Sequence, residues 1–254
     1  MKIASWNVNS VKARLDRLVA WLKSARPDVL CLQELKTQED SFPFESLEEA
    51  GYHAAAYGQK TYNGVAILSR EKPGNVQRGF GDNDPQARII AATVAGLRVV
   101  SVYVPNGQEI GSDKHAYKLR WLERFAEYLE KNYTPRKQLL VCGDFNIAPD
   151  DIDVARPDAW ADSVLCDPAG RAAVEKIRAW GLVDVFRCRH PDTAAYSWWD
   201  YRRLAFPKND GIRLDYILAT SRLAKKCTTA TIDRDARKGE KPSDHTPVVA
   251  VFDL

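Results

Sequence analysis

Seven polar residues in this chain of 254 residues stand at the ends of apolar runs, where apolar or turn-forming types are the norm. Asn7 closes the first run and Glu34 the second. Asp144 and Asn146 close L-L-V-C-G-D-F-N. Asp215 opens L-D-Y-I-L-A, and Asp244 and His245 precede V-V-A-V-F. Each has an ordinary explanation when taken alone. Asn and Asp favour turns and caps, and a lone His is more often structural than catalytic. The recurrence of these types at five tips, with long connections beside them, outweighs the ordinary explanations.

The chemistry of such a set is specific. Hard oxygen donors without paired Cys or His favour Mg²⁺ or Mn²⁺ over zinc. Glu34 and Asp244, helped by Asn7, fit as ligands of a cation that stabilises charge growing on a phosphate. Asp144 suits the orientation or deprotonation of a water. Asp215 and His245 suit a carboxylate–imidazole pair, in which the carboxylate fixes the ring and favours its protonated, donating form. Tyr103 and Asn106, in V-Y-V-P-N-G, add a phenol and an amide at another tip. Together these groups describe phosphoester hydrolysis.

The elements that must position them read as layered α/β. The strands expected are Ile3–Val8, Val29–Gln33, Gly64–Leu68, Ala87–Val94, Leu97–Val104, Gln138–Phe145, Leu214–Ala219 and Val248–Phe252. A helix with Val11, Leu15, Leu18, Val19 and Leu22 at helical spacing follows the first strand, with Asn9-Ser10 as its N-cap and Pro27 beyond its end. A second helix carries Leu119, Leu122, Phe125, Ala126 and Leu129, and a third spans Ala172 to Trp180. I-A-S-W-N-V-N and L-V-C-G-D-F-N-I echo each other faintly. With no linker or low-complexity segment, residues 1–254 read as one domain of two similar halves: two stacked sheets flanked by helices. Long connections at 105–114, 149–169, 200–213 and 233–244 lie beside the polar tips.

Composition sets the outer bounds. Hydrophobic residues make up 45%, enough for a sizeable core, and the net charge of +3 does not by itself announce nucleic acid. Five scattered cysteines without a C-x-x-C suit a reducing compartment. The start, MKIASWNVNS, lacks a signal-peptide core, and no run approaches the roughly 18 apolar residues of a membrane span. A cytoplasmic protein without membrane contact is the expectation.

The motifs also carry a resemblance. W-N-V-N-S at 6–10, D-V-L-C-L-Q-E-L-K at 28–36, N-G-V-A-I-L-S-R at 63–70, Y-V-P-N-G at 103–107, G-D-F-N-I-A at 143–148, W-W-D-Y-R at 198–202, R-L-D-Y-I-L at 213–218 and S-D-H-T-P-V at 243–248 occur in this order. As a set they resemble the exonuclease III family of apurinic/apyrimidinic (AP) endonucleases over nearly the whole chain. The resemblance implies a four-layered α/β sandwich of the DNase I-like kind. It implies Mg²⁺-dependent cleavage of double-stranded DNA 5′ to abasic sites, with 3′-end processing as exonuclease or 3′-phosphatase. It also implies a monomer in the cytoplasm, at the nucleoid if the source is bacterial.

Carried over by position, the resemblance makes Glu34 the main metal ligand, with Asn7 and Asp244 close by. Asp144 activates the water, and Asn146 positions it and steadies the transition state. Tyr103 is the active-site tyrosine, Asn106 lies near the scissile phosphate, and Asp215 orients His245 on the phosphate. A second metal at Asp144, Asn146 and His245 is a secondary expectation. Trp198, Ile212 and Leu214 line a pocket for the flipped-out baseless sugar, whose extrusion costs less stacking energy than that of a normal nucleotide. Two places depart from the family pattern: Asn9-Ser10 replaces an Asp-Gly found in some members, and 160–171 does not align clearly. The balance of activities therefore stays open between incision and 3′-end processing. The alternatives are a superfamily phosphoesterase acting on inositol phosphates or phospholipids, and a non-catalytic DNA-binding module.

Overall fold

The apolar runs lie at the centre of two sheets in a computed structural model that describes residues 1–82 and 84–254. In chain order the strands are β1 (Lys2–Asn7), β2 (Val29–Gln33), β3 (His53–Tyr57), β4 (Val65–Ser69), β5 (Gly74–Arg78), β6 (Ile89–Val94), β7 (Leu97–Tyr103), β8 (Leu139–Asp144), β9 (Leu182–Asp184), β10 (Asp215–Thr220), β11 (Cys227–Ile232) and β12 (Val248–Phe252). The sheets run β11-β12-β1-β2-β4-β3 and β5-β6-β7-β8-β10-β9. The helices that matter below are α1 (Leu15–Ala25), α2 (Phe44–Glu49), α3 (Asp113–Asn132), α4 (Pro157–Trp160) and α5 (Pro168–Ala179). No helix among the described residues is long and apolar enough to cross a membrane.

Side-chain alternation along each strand builds the layers. Ile3, Val29, Cys31 and Ile67 meet Ile90, Val99, Leu140, Cys142 and Ile217 between the sheets. The alternate residues Ala4, Trp6, Leu30 and Leu32 face outward, onto Leu18, Trp21 and Leu22 of α1. On the far side Val100, Val141 and Leu218 pack on Trp121, Phe125 and Leu129 of α3 and on Val174 and Ile177 of α5. The result is the expected helix–sheet–sheet–helix sandwich. Each fully buried Leu, Ile, Val or Phe in it contributes on the order of 1.5–3 kcal/mol relative to exposure.

Register then gathers the polar tips. β1 and β2 are parallel with Asn7 opposite Gln33. β7 and β8 are parallel with Tyr103 opposite Asp144, and Asp215 lies opposite Asp144 on the antiparallel β10. By the period of two, Asn7, Asp144 and Asp215 emerge on the same faces as Ile3, Cys142 and Ile217, toward the space between the sheets. That space turns polar just before them: Gln33 Nε2 donates to Ser5 Oγ at 3.1 Å and to Ser101 Oγ at 3.2 Å, bonding the two sheets together.

Three local expectations change. Asn9-Ser10 does not cap α1, which starts at Leu15 with Arg14 in the cap position and no side-chain cap. The amides of Val8, Ser10 and Val11 instead bond the carbonyls of Gln33, Glu34 and Leu35, so the chain follows the end of β2 before it can coil. Four strands were not read from sequence: β3, β5, β9 and β11. The echo also pairs different strands. In each sheet a strand, a helix and a parallel strand recur, as β1-α1-β2 and β7-α3-β8. The counterpart of W-N-V-N is therefore V-Y-V-P-N, and that of G-D-F-N is the tip bearing Gln33 and Glu34.

Candidate active site

The cluster is built around one amide. Asn7 Nδ2 donates to Glu34 Oε1 and to Asp144 Oδ2, each at 2.9 Å, and so joins a carboxylate from each sheet. Its Oδ1 accepts from the Asn9 amide at 3.0 Å, which leaves the nitrogen facing the acids. Glu34 sits in the left-handed region at φ 52, a turn that lifts its side chain off the end of β2. Its Oε2 pairs with Lys36 Nζ at 2.8 Å.

Asp144 is buried beneath this bridge. Its Oδ1 accepts from the Asn146 amide at 2.8 Å, and its Oδ2 accepts from Asn146 Nδ2 at 3.3 Å. Burial raises its pKa; His245 opposes this and Asp215 adds to it. Asn146, at φ 51, also donates to the Val104 carbonyl at 2.9 Å and accepts from Asn106 Nδ2 at 3.1 Å. Tyr103 stands beside them with Arg88 over its ring at 4.9 Å. Burial first, then the charges of Glu34 and Asp144, hold its phenol well above the usual pKa, so it is a hydrogen-bond donor at neutral pH.

His245 Nδ1 lies 2.8 Å from Asp215 Oδ2, and its Nε2 lies 3.7 Å from Asp144 Oδ2. Burial disfavours a charged ring, but Asp215 and then Asp144 outweigh it and raise the pKa to about 10. Asp215 is held in turn by Ser197 Oγ at 2.6 Å. The adjacency of Asp244 and His245 is resolved by the loop before β12: Ser243 Oγ donates to the Asn7 carbonyl at 2.7 Å and accepts from the His245 amide at 3.2 Å.

Glu34, Asp144 and His245 each bring a ligand atom within 4.8 Å of one another, a hard-donor group suited to a divalent cation. Asp244 is arranged differently. Its Oδ1 accepts from Asn9 Nδ2 at 2.9 Å and its Oδ2 from Trp198 Nε1 at 3.1 Å. Asn9 also takes Lys36 Nζ on its Oδ1 at 2.5 Å, so this departure from the family pattern ties Asp244 to the Lys36–Glu34 pair.

Trp198, Ile212 and Leu214 come together in one apolar cluster with Ala148, Val154, Val164, Leu165 and Cys166. The segment that did not align, 160–171, thus supplies one side of this cluster. Trp160 stands edge-on to Trp198 with ring centroids 5.7 Å apart. A groove of about 720 Å³ opens on the other side of Tyr103, lined by Tyr62, Asn63, Arg88, Asn106 and Lys114 among others.

Comparison with known proteins decides the family. Residues 4–245 match the family model described as the Endonuclease/Exonuclease/phosphatase family. The chain belongs to this family. It is 38% identical to the exodeoxyribonuclease III of Haemophilus influenzae over 269 aligned positions, covering 99% of this chain and all of that protein. Among solved structures it is similar to an AP endonuclease from Archaeoglobus fulgidus (44% identity, TM-score 0.98, full coverage of both chains). It is also similar to a 3′ phosphatase from Neisseria bound to a product DNA hairpin (41% identity, TM-score 0.96, full coverage of both). Within the family the chain is of the exonuclease III type, a hydrolase and nuclease of DNA repair.

Sequence reasoning passed over three residues that the site uses: Lys36, Ser197 and Lys118. Lys118 had a readable signal. It precedes Trp121, Leu122 and Phe125 by three, four and seven residues, a cation on the apolar stripe of α3.

Proposed function

We propose that this single-domain protein hydrolyses the phosphodiester 5′ to abasic sites in double-stranded DNA and trims blocked 3′ ends, as a cytoplasmic monomer using Mg²⁺. The observation that carries the reading is the Asn7-bridged pair Glu34 and Asp144 facing the His245–Asp215 pair, beside the apolar cluster of Trp198, Ile212 and Leu214. A bound Mg²⁺ would supply charge neutralisation at the phosphate, and Glu34, with Asp144 in reach, would hold it. Asp144, with its raised proton affinity, takes the proton of the attacking water. Asn146 orients that water. His245, kept protonated by Asp215, and the Tyr103 phenol donate to phosphate oxygens as charge builds. Asn106 steadies the same phosphate. Asp244 acts through Asn9 and Trp198, keeping the metal side and the pocket side in register. Asn7 holds the two carboxylates together; Asp144, Asn146 and His245 would form the secondary set for a second ion only once the His245 ring has given up its proton.

Trp198, Ile212 and Leu214 suit a baseless sugar and exclude one that carries a base. Arg88 and Lys114 in the adjoining groove suit the phosphates of the bound strand. A side-by-side assay with Mg²⁺ tests this reading, using an abasic duplex, a 3′-phosphate duplex, an undamaged end and an inositol phosphate. Turnover of the inositol phosphate alone overturns it. A second reading, end processing with weak incision, is favoured by Trp160, which already covers part of the Trp198 ring. That reading predicts 3′-phosphate release well in excess of incision in the same assay.

A further inference from the structure

We infer that Lys118 is a positioning residue for the whole site, one buried ammonium that holds the Asn106, Asn146 and Val164 loops at a single point. The residue lies in α3 with no exposed surface. Its Nζ donates to the backbone carbonyls of Asn106 at 3.0 Å, Asn146 at 2.7 Å and Val164 at 2.8 Å. An ammonium has three N–H donors, and here each has one acceptor on a different loop. The first loop follows β7, the second follows β8, and the third is the segment 160–171.

The three loops carry three different parts of the proposed chemistry. Asn106 and Asn146 are further joined side chain to side chain at 3.1 Å. Val164 belongs to the apolar cluster with Trp198, Ile212 and Leu214. Burial lowers the Lys118 pKa to about 7, with Asp144 and then Asp167 opposing, and no carboxylate among the described residues forms an ion pair with it. An apolar residue at this place on the stripe would serve packing at less cost. What the Lys118 head group adds is one shared anchor for three backbone carbonyls.

The surroundings are shaped to this side chain. Gly107, at φ +91, has no Cβ, and one there would lie 2.9 Å from Lys118 Cδ. The Asn106 loop therefore rests directly on the lysine stem. One turn earlier His115 Nε2 lies 2.9 Å from Asp167 Oδ2, and Asp167 accepts from the Gly170 amide to cap α5. The same face of α3 thus fixes both ends of the 163–167 stretch. Because one group holds the water-orienting loop and the pocket wall, turnover and recognition of the abasic sugar change together when it is lost.

The inference rests on the reading of Asn106 and Asn146 given above, and the test separates the two. Lys118→Met, Asp144→Asn and the unaltered protein are compared on an abasic duplex with Mg²⁺, with folding followed by circular dichroism. The expected result is an inactive Asp144→Asn and a folded Lys118→Met. In Lys118→Met, kcat should be about tenfold lower or worse and KM about threefold higher or more, since displacements on the order of 1 Å are enough for such losses. A mere loss of folded fraction lowers kcat and leaves KM unmoved, and that outcome overturns the inference, as do values within twofold of the unaltered protein. Should Lys118→Met not fold, Lys118→Gln, which keeps two N–H donors, is held to the same thresholds. If neither folds, Lys118 belongs to the fold alone and the inference is wrong. An active Asp144→Asn sinks the functional reading instead.

Discussion

His245 Nδ1 lies 2.8 Å from Asp215 Oδ2, across thirty residues of chain and at the junction of the two sheets. The contact decides the protonation of the ring. The ordinary pKa of 6.5 is raised to about 10, so the ring is cationic throughout the neutral range. Its contribution to stability is complete below 6.5 and is lost as pH rises through about 10. In Asp215→Asn, burial acts on the ring with much less opposition, and the pKa falls. The variant should lose on the order of 10²-fold in kcat at pH 7.5, with the alkaline limb of its pH profile moved toward acid. Superimposable alkaline limbs in the two proteins would remove this role from Asp215.

Asp144→Asn keeps the shape of the cluster and removes the acceptor for a proton. Incision of an abasic duplex should fall by on the order of 10²–10⁴-fold, while the dissociation constant of the same duplex stays nearly unchanged. Single-turnover rates and a gel-shift titration check the two halves of this statement.

Metal removal offers an independent test of the Glu34–Asp144 pair. EDTA should abolish turnover, and Mg²⁺ added to metal-free protein should raise the melting temperature as it relieves two neighbouring carboxylates. Glu34→Gln should shrink that rise. An equal Mg²⁺ response in both proteins places the ion elsewhere.

Stability rests on the residue between Ile212 and Leu214. Arg213 is 1% exposed and bonds Asp153 at 2.7 Å and Asp184 at 2.7 Å. Its backbone amide also donates to the Asp153 carbonyl, so the network braces Ile212, Leu214 and the start of β10. Arg213→Met leaves two buried carboxylates, with Arg187 still on Asp153 at 2.5 Å. The loss should be about 3–5 kcal/mol, measured by urea unfolding at pH 7. A change too small to resolve would mean that water fills the gap.

Trp160→Ala should uncover the Trp198 ring. If Trp160 limits entry of the sugar, incision of the abasic duplex rises relative to 3′-phosphate release. An unchanged ratio assigns Trp160 to packing.

The central strands were legible because most of their residues are apolar and buried. A short run such as L-L-V-C, bounded by turn residues and buried on both faces, reads as interior β, and V-V-A-V is buried on one face and half-buried on the other. The four strands that escaped, β3, β5, β9 and β11, are the four edges of the two sheets. An edge strand leaves one flank to solvent, so G-N-V-Q-R and C-T-T-A-T-I carry too few apolar residues to stand out. The start of α1 was misread for a related reason: Asn9 has the chemistry of a cap, but its Oδ1 accepts from a longer-range partner, Lys36 Nζ.

The sequence by itself determined the layered α/β class, the central strands and the types of residue at their tips, because periodicity and residue chemistry are local. Only the tertiary structure decided which of those residues meet. It joined Glu34 to Asp144 through Asn7, and it turned Asp244 toward Asn9 and Trp198. It also drew the carbonyls of three loops onto Lys118. These partners lie far apart in the chain, and the register of two stacked sheets, which no local pattern encodes, brings them within hydrogen-bond reach.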